Sequence, residues 1–166
     1  MQKKQTGVVF RIIVFSLTAF MIGFVFFRSS MNADDSTVES ESMLDFLINF
    51  FKSFGISVEM SENIIRKLAH FAEFFVIGGL FMSCAYSFDR FKPYRYSFAV
   101  LFVGLFTAVI DEFIQLFFEG RSAEITDVLL DFSGVIAGAL FMLLFYFIYI
   151  KIRYKKDKGK QWKVQK

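Results

Sequence analysis

Four long apolar runs divide the chain into predicted membrane-spanning helices. They cover residues 8–27, 64–86, 97–118 and 125–150. Each run reaches about 20 residues, the length that an α-helix needs to cross a hydrocarbon core about 30 Å thick. The bulky Phe-Phe-Arg sequence that ends the first run argues against a cleaved signal peptide. The pattern therefore predicts an all-α integral membrane protein, a four-helix transmembrane bundle.

The longest polar segment, between the first and second runs, contains a different pattern. From Met43 to Phe54, apolar residues recur at helical spacing with polar residues between them, which is typical of an amphipathic helix. The stretch is too short and too polar to span a membrane. We predict an extracellular helix that either lies at the membrane surface with its Phe side chains toward the lipid or packs on the bundle as a lid.

Composition supports a membrane protein. Hydrophobic residues make up 55% of the 166 residues, and 26 of them are Phe, more aromatic side chains than a soluble domain of this size would normally hide. The single cysteine, Cys84, excludes an intramolecular disulfide. Because it lies in an apolar run, we expect a buried side chain and not a reactive thiol.

The distribution of charge predicts the topology. The N-terminal end, the connection at residues 87–96 and the tail are basic, whereas the first loop carries six acidic residues against two basic ones. The positive-inside rule then places residues 1–6 and the tail, residues 151–166, in the cytoplasm, on either side of a membrane domain at residues 7–150. We expect the tail to be disordered beyond its first turn and to contact anionic lipid, not nucleic acid.

Polar and ionisable residues interrupt three of the apolar runs near the predicted outer face. They are Lys67, His70 and Glu73 in the second run, Asp111, Glu112 and Gln115 in the third, Asp127 and Asp131 in the fourth, and Arg121 in the turn between the last two. With a rise of about 1.5 Å per residue, the helical members of this set lie between the predicted outer helix ends and a depth of roughly 11 Å. Such groups are costly in lipid and usually face a bundle interior or a water-filled cavity. The sequence thus predicts an outward-facing polar site in the membrane.

The residue types suggest chemistry without deciding it. The catalytic candidates are His70, as general base or metal ligand, and Glu73, Asp111 and Glu112, as acid, base or ligand. The binding candidates are Lys67, Gln115, Arg121, Asp127 and Asp131. Among these, Arg121 at the mouth is suited to an anionic head group. The acidic candidates outnumber the basic ones, so some carboxylates would be protonated, a cation would be bound, or water would fill the site. The sequence does not say which, and it leaves any metal or cofactor unknown. A purely structural network that fixes helix register is the other reading.

Glycines on the fourth helix predict where it packs. Gly134 and Gly138 form a G-x-x-x-G pair on the stripe that also carries Asp131. Small residues at this spacing let a neighbouring helix approach closely. Gly78 and Gly79 in the second helix are the expected partners.

The combined motifs resemble the VanZ-like family of bacterial membrane proteins over roughly residues 60 to 145. The matching elements are Lys67-x-x-His70-x-x-Glu73-Phe74, Asp111-Glu112-x-x-Gln115, Gly120-Arg121, Asp127, and Asp131-x-x-Gly134 with Gly138 beyond. Two positions depart from the family, which often has Asn in place of Asp131 and Pro in place of Glu119. The resemblance implies a four-helix, multi-pass protein of the bacterial plasma membrane. The family's namesake is associated with resistance to the glycopeptide teicoplanin.

Three functions follow as hypotheses. The first is a cell-envelope protein whose site binds or modifies an envelope component, which would be a lipid-linked molecule, a peptidoglycan precursor or the glycopeptide antibiotic itself. The second is an intramembrane enzyme that acts on a lipid-linked substrate. The third is an ion or proton transporter. The apolar inner halves of the helices argue against it, because they offer no polar path. In each case the lipid bilayer is a partner and nucleic acid is not.

Overall fold

Four helices, each long and apolar enough to cross a membrane, make up the fold. A computed structural model of the chain describes residues 5–32, 61–121 and 123–164, and this part of the chain contains no strand. The helices are α1 (Val8–Ser29), α2 (Glu62–Phe88), α3 (Ser97–Gln115) and α4 (Ile125–Val164). A short 3-10 helix, Pro93–Tyr96, leads into α3. The structure therefore confirms the all-α, four-helix architecture.

Helix α2 is the central element, because it has the most extensive interfaces with both α1 and α4 and also contacts α3. Its largest interface is with α4, and glycines make that interface close. A Cβ atom added to Gly138 would lie 1.8 Å from the carbonyl oxygen of Phe75, and one added to Gly78 would lie 2.1 Å from that of Val135. No side chain fits at either position, so the backbones of α2 and α4 touch where the glycine pattern predicts.

A fully buried apolar layer crosses the bundle and joins all four helices. Its members are Val25, Phe74, Ile77, Ala108 and Val135. Along α3 and α4, Ala108 and Val135 lie about one helical turn further into the bundle than Asp111 and Asp131. The layer therefore separates these polar residues from the opposite half of the bundle.

The helix faces that point away from the centre of the bundle are apolar. Large hydrophobic side chains such as Phe20, Phe98 and Phe141 are more than half exposed in the isolated chain. An exposed apolar surface of this extent suits contact with lipid tails and not with water.

Polar contacts at the two ends of the bundle show how the helices alternate in direction. At one end, the backbone N–H of Thr6 donates to the carbonyl oxygen of Ser87 at 3.2 Å, so the start of α1 lies beside the end of α2. At the other end, Arg121 donates to the carbonyl oxygen of Ser29 at 3.4 Å. Gly120, next to Arg121, has a φ of 77°, a left-handed conformation that glycine adopts without strain. The tight turn between α3 and α4 thus lies beside the end of α1.

The structure departs from the sequence predictions in two respects. Helix α3 ends at Gln115, three residues before the predicted boundary, because the chain turns there toward Gly120. The expectation of a disordered tail is wrong, since α4 continues to Val164. The tail has no proline, the only one being Pro93, and its lysines and glutamine favour a helix. The predicted amphipathic helix at residues 43–54 lies outside the described residues.

Candidate functional site

A polar cavity of about 90 Å³ lies among α2, α3, α4 and the turn that joins the last two. Seven of the nine candidate residues from the sequence line it. The full lining is Arg66, Lys67, His70, Glu112, Gln115, Gly120, Arg121, Glu124, Asp127, Leu130 and Asp131. The structure thus brings side chains from three helices together in one cavity.

Exposure falls from one end of the cavity to the other and defines a mouth and a floor. The side chain of Lys67 is 45% exposed, and that of His70, about one turn further along α2, is 17% exposed. On α4, Asp127 is partly exposed, whereas Asp131, one turn further, is only 1% exposed. Lys67 and Asp127 therefore lie at the mouth, and His70 and Asp131 form the floor.

The mouth carries an ion pair and two arginines. Lys67 Nζ lies 2.6 Å from Asp127 Oδ1 and so links α2 to α4. Burial lowers the pKa of the Arg121 guanidinium, and the positive charge of Arg66 lowers it further. Arg66 and Arg121 both line the cavity, and guanidinium groups are suited to holding an anionic group.

Glu112 lines the cavity but is tied to the neighbouring turn. One of its carboxylate oxygens accepts a hydrogen bond from the backbone N–H of Glu124 at 2.7 Å, and the other accepts one from Gln115 at 3.2 Å. These contacts fix the turn against the end of α3. Glu112 thus holds the shape of the cavity wall.

At the floor, His70 lies between two buried carboxylates. Its Nδ1 atom is 3.9 Å from Asp111 Oδ2 and 3.9 Å from Asp131 Oδ1. Asp111 accepts hydrogen bonds from Ser29 Oγ at 2.6 Å and from Gln115 Nε2 at 3.3 Å. By contrast, neither carboxylate oxygen of Asp131 has a hydrogen-bond partner among the described residues. A buried carboxylate in that state requires an explanation.

The family to which this constellation belongs follows from comparison with known proteins. A family model described as VanZ/LLP1 matches residues 13–147, which is most of the chain. The chain belongs to the VanZ/LLP1 family. No curated protein and no solved structure matches it. The matched region contains every residue that lines the cavity, and it includes Ser29 of α1, so the site lies wholly within the VanZ/LLP1 region.

Two of the nine predicted residues do not line the cavity of this VanZ/LLP1 chain. Asp111 is fully buried behind His70 and supports the floor. Glu73 forms an ion pair with Arg28 at the end of α1. That contact gives Glu73 a direct role in joining α1 to α2.

Helix α1 contributes to the VanZ/LLP1 site in a way that the sequence analysis missed. Arg28 binds Glu73, and Ser29 binds both Asp111 and Arg121. The sequence does show Arg28 at the end of the first apolar run, but there it reads as one of the two basic residues of the following loop. The structure also places Arg66, which is not among the nine predicted residues, in the cavity wall.

The arrangement combines two chemistries about one helical turn apart. The mouth presents guanidinium groups suited to a phosphate or carboxylate. The floor presents one imidazole and two carboxylates, the residue types of general acid–base catalysis and of metal binding.

Proposed function

We propose that this VanZ/LLP1 protein is a multi-pass protein of the bacterial plasma membrane whose outward-facing cavity binds the anionic head group of a lipid-linked envelope component. Binding of that component would contribute to resistance against teicoplanin-type glycopeptides. The observation that carries the proposal is the pair of guanidinium groups, Arg66 and Arg121, at the mouth of a polar cavity inside an apolar bundle.

The size of the cavity supports a head group and not a whole antibiotic. Pockets for drug-sized ligands occupy about 300–1,000 Å³, whereas this cavity has about 90 Å³. A phosphate group with its bound water suits that volume, and the attached lipid chain can lie along the apolar outer surface of the helices. A glycopeptide would have to remain outside.

The apolar layer favours binding over transport. Phe74, Ile77 and Val135 are fully buried beneath the floor of the cavity. An ion or proton path needs polar groups or water through the full depth of the membrane. A cavity closed on its inner side by packed hydrocarbon suits a molecule that enters and leaves from the outer face.

A second candidate function is an intramembrane enzyme that acts on the same class of lipid-linked substrate. The observation that favours it is the position of His70, with its Nδ1 atom 3.9 Å from each of two buried carboxylates. A carboxylate can orient the imidazole as a general base. If the chain is such an enzyme, the His70→Gln variant will still bind the substrate but will form no product.

Binding to purified protein tests the proposed function. The full chain in detergent is titrated with a polyprenyl phosphate and, separately, with the neutral polyprenol. We expect the phosphate to bind and Arg121→Gln to weaken it about 10-fold or more, since a hydrogen bond to a charged group contributes about 1.5–3 kcal/mol. Arg95→Gln is the matched control, because Arg95 is exposed in the 3-10 helix far along the chain from the cavity.

Two results would contradict head-group binding. One is equal affinity for the phosphate and the neutral alcohol. The other is an Arg121→Gln variant that is well folded and binds as tightly as Arg95→Gln. In cells, expression of the chain should raise the inhibitory concentration of teicoplanin, and Arg121→Gln should remove the increase while Arg95→Gln retains it.

A further inference from the structure

We propose that the floor of the cavity is a metal site, in which His70, Asp111 and Asp131 hold one divalent first-row transition-metal ion of the Zn²⁺ type. The site goes beyond head-group binding, and it can be measured without any envelope ligand. Its three residues come from three different helices, α2, α3 and α4, so an ion there would link the centre of the bundle.

The geometry of the three side chains fits a shared ion. One ligand atom from each residue lies within 4.8 Å of the other two. The His70 Nδ1 atom is 3.9 Å from a carboxylate oxygen on each side. Two ligands on a tetrahedral Zn²⁺ with bonds of about 2.0–2.1 Å lie about 3.4 Å apart. The two separations from His70 would shorten by about 0.5 Å, and that between the two carboxylate oxygens, at most 4.8 Å, by up to about 1.4 Å, which rotation of the side chains can supply.

The state of Asp131 is a second and independent observation. Its side chain is 1% exposed, it lines the cavity, and neither of its oxygens has a hydrogen-bond partner among the described residues. A carboxylate removed from water is stable only when it is paired, protonated or bound to a metal. Its position opposite His70 and Asp111 makes a metal ion the partner that satisfies all three groups.

The surroundings of Asp111 resemble the support that metal ligands have in proteins. Ser29 Oγ donates to Asp111 Oδ1 at 2.6 Å, which leaves Oδ2 on the side of His70. Gln115 donates to Oδ2 at 3.3 Å from the adjoining turn of the helix. Outer hydrogen bonds of this kind orient ligating carboxylates and raise metal affinity.

The mixture of ligand atoms selects the class of metal. Ca²⁺ and Mg²⁺ prefer sites made only of oxygen, whereas an imidazole nitrogen favours Zn²⁺ and neighbouring transition metals. The cavity of about 90 Å³ beside the three residues has room for water molecules. The protein would therefore supply three ligands and leave the remaining position open toward the cavity mouth.

Metal binding is tested on the full chain purified in detergent and stripped with a chelator. Equilibrium dialysis against Zn²⁺ alone, followed by elemental analysis, should give one ion per chain. We expect His70→Ala and Asp131→Asn each to weaken Zn²⁺ binding by at least about 10- to 100-fold, the range seen when even outer groups of a metal site are lost. Glu119→Gln, which removes an exposed carboxylate from the nearby turn and not from the site, should bind as the wild type does.

Several results would overturn the metal site. Folded wild-type chain that takes up no Zn²⁺ would do so, as would an Asp131→Asn chain with unchanged affinity. Gel filtration and thermal unfolding check the variants, and if His70→Ala does not fold, Asp131→Asn, which preserves the shape of the side chain, decides the question. If a proton neutralises Asp131 instead, Asp131→Asn will be at least as stable as the wild type, and neither will bind Zn²⁺.

The metal site and the head-group site fail independently. Arg121→Gln should lower the affinity for polyprenyl phosphate and leave Zn²⁺ uptake unchanged. A chain that binds Zn²⁺ but does not distinguish polyprenyl phosphate from polyprenol would retain the metal site and lose the proposed function. The opposite pattern would retain the proposed function and refute the metal site.

Discussion

The two ion pairs at the cavity end of the bundle differ in how far they are removed from water. Arg28 and Glu73, which join α1 to α2, are 21% and 10% exposed at their side chains. Lys67, which pairs with Asp127, is 45% exposed. Breaking a buried pair leaves an uncompensated charge, whereas an exposed charge is solvated by water. The same kind of contact should therefore contribute very different amounts to stability.

Unfolding measurements on single variants test this difference at the scale of the residue. Glu73→Ala should lower the free energy of unfolding by about 1.5–3 kcal/mol, because it removes a charged hydrogen bond to the largely buried Arg28 guanidinium. Lys67→Ala should cost less than about 1 kcal/mol, the usual range for exposed pairs. Titration with a denaturing detergent in mixed micelles gives both values. Equal losses would mean that burial does not separate the two pairs.

The helix interface between α2 and α4 is the feature that positions the cavity at the scale of the element. Gly134 and Gly138 let the two backbones touch, and Asp131 lies on the same stripe of α4. Close packing below the floor therefore fixes the distance from Asp131 to His70 on the facing helix. A change in the interface should therefore alter the geometry of the cavity as well as the stability of the fold.

Substitution of single glycines tests the role of this interface. In Gly138→Ala, the new methyl group would lie 1.8 Å from the carbonyl oxygen of Phe75, so α2 and α4 must move apart. We expect a loss of about 1–3 kcal/mol or more, the usual cost of overpacking. Gly23→Ala is the matched control, since nothing lies within 4 Å of its added Cβ atom. Alanine there should be neutral or stabilising by up to about 1 kcal/mol because of its higher helix propensity. Comparable losses in both variants would show that α2 and α4 do not depend on close contact.

For the whole molecule, the sequence was sufficient to predict the four helices, and most of the polar residues that it singles out line one cavity. In lipid, backbone groups must be satisfied within the segment, so an apolar run of about 20 residues has one plausible structure. Helical rise then gives the depth of Asp111 and Asp131 by counting. It does not give the rotation of each helix about its axis. That rotation decides that Asp111 meets Ser29 while Asp131 lacks a hydrogen-bond partner among the described residues.

The contribution of α1 was harder to predict for a related reason. The helix has a mean hydropathy of 2.4 and shows no polar stripe that would mark an inner face. Arg28 and Ser29 lie at its end, where a charge is ordinary, and only the packing of α1 against α2 and α3 brings them to Glu73 and Asp111. Sequence patterns reveal a buried face on helices with mixed composition and conceal it on helices that are apolar all round.

The direction in which the bundle crosses the membrane decides whether the cavity meets the cell envelope. Hydrogen bonding of Thr6 to Ser87 places the N-terminal end and the basic connection between α2 and α3 at the same end of the bundle. That connection carries Arg90, Lys92 and Arg95. From the positive-inside rule we propose that this end is cytoplasmic and that the cavity opens at the opposite, outer face.

Cysteine labelling in intact cells tests this orientation directly. Cys84 is buried and in contact with Thr18, so the background from the wild-type chain should be low. A cysteine that replaces Glu119, exposed in the turn beside the cavity, should react with a membrane-impermeant maleimide on intact cells. One that replaces Lys92, exposed at the other end, should react only after permeabilisation. The reverse pattern would turn the cavity toward the cytoplasm and exclude an envelope ligand from the outer face. It would leave the metal site intact, because the contacts among His70, Asp111 and Asp131 do not depend on which side of the membrane they face.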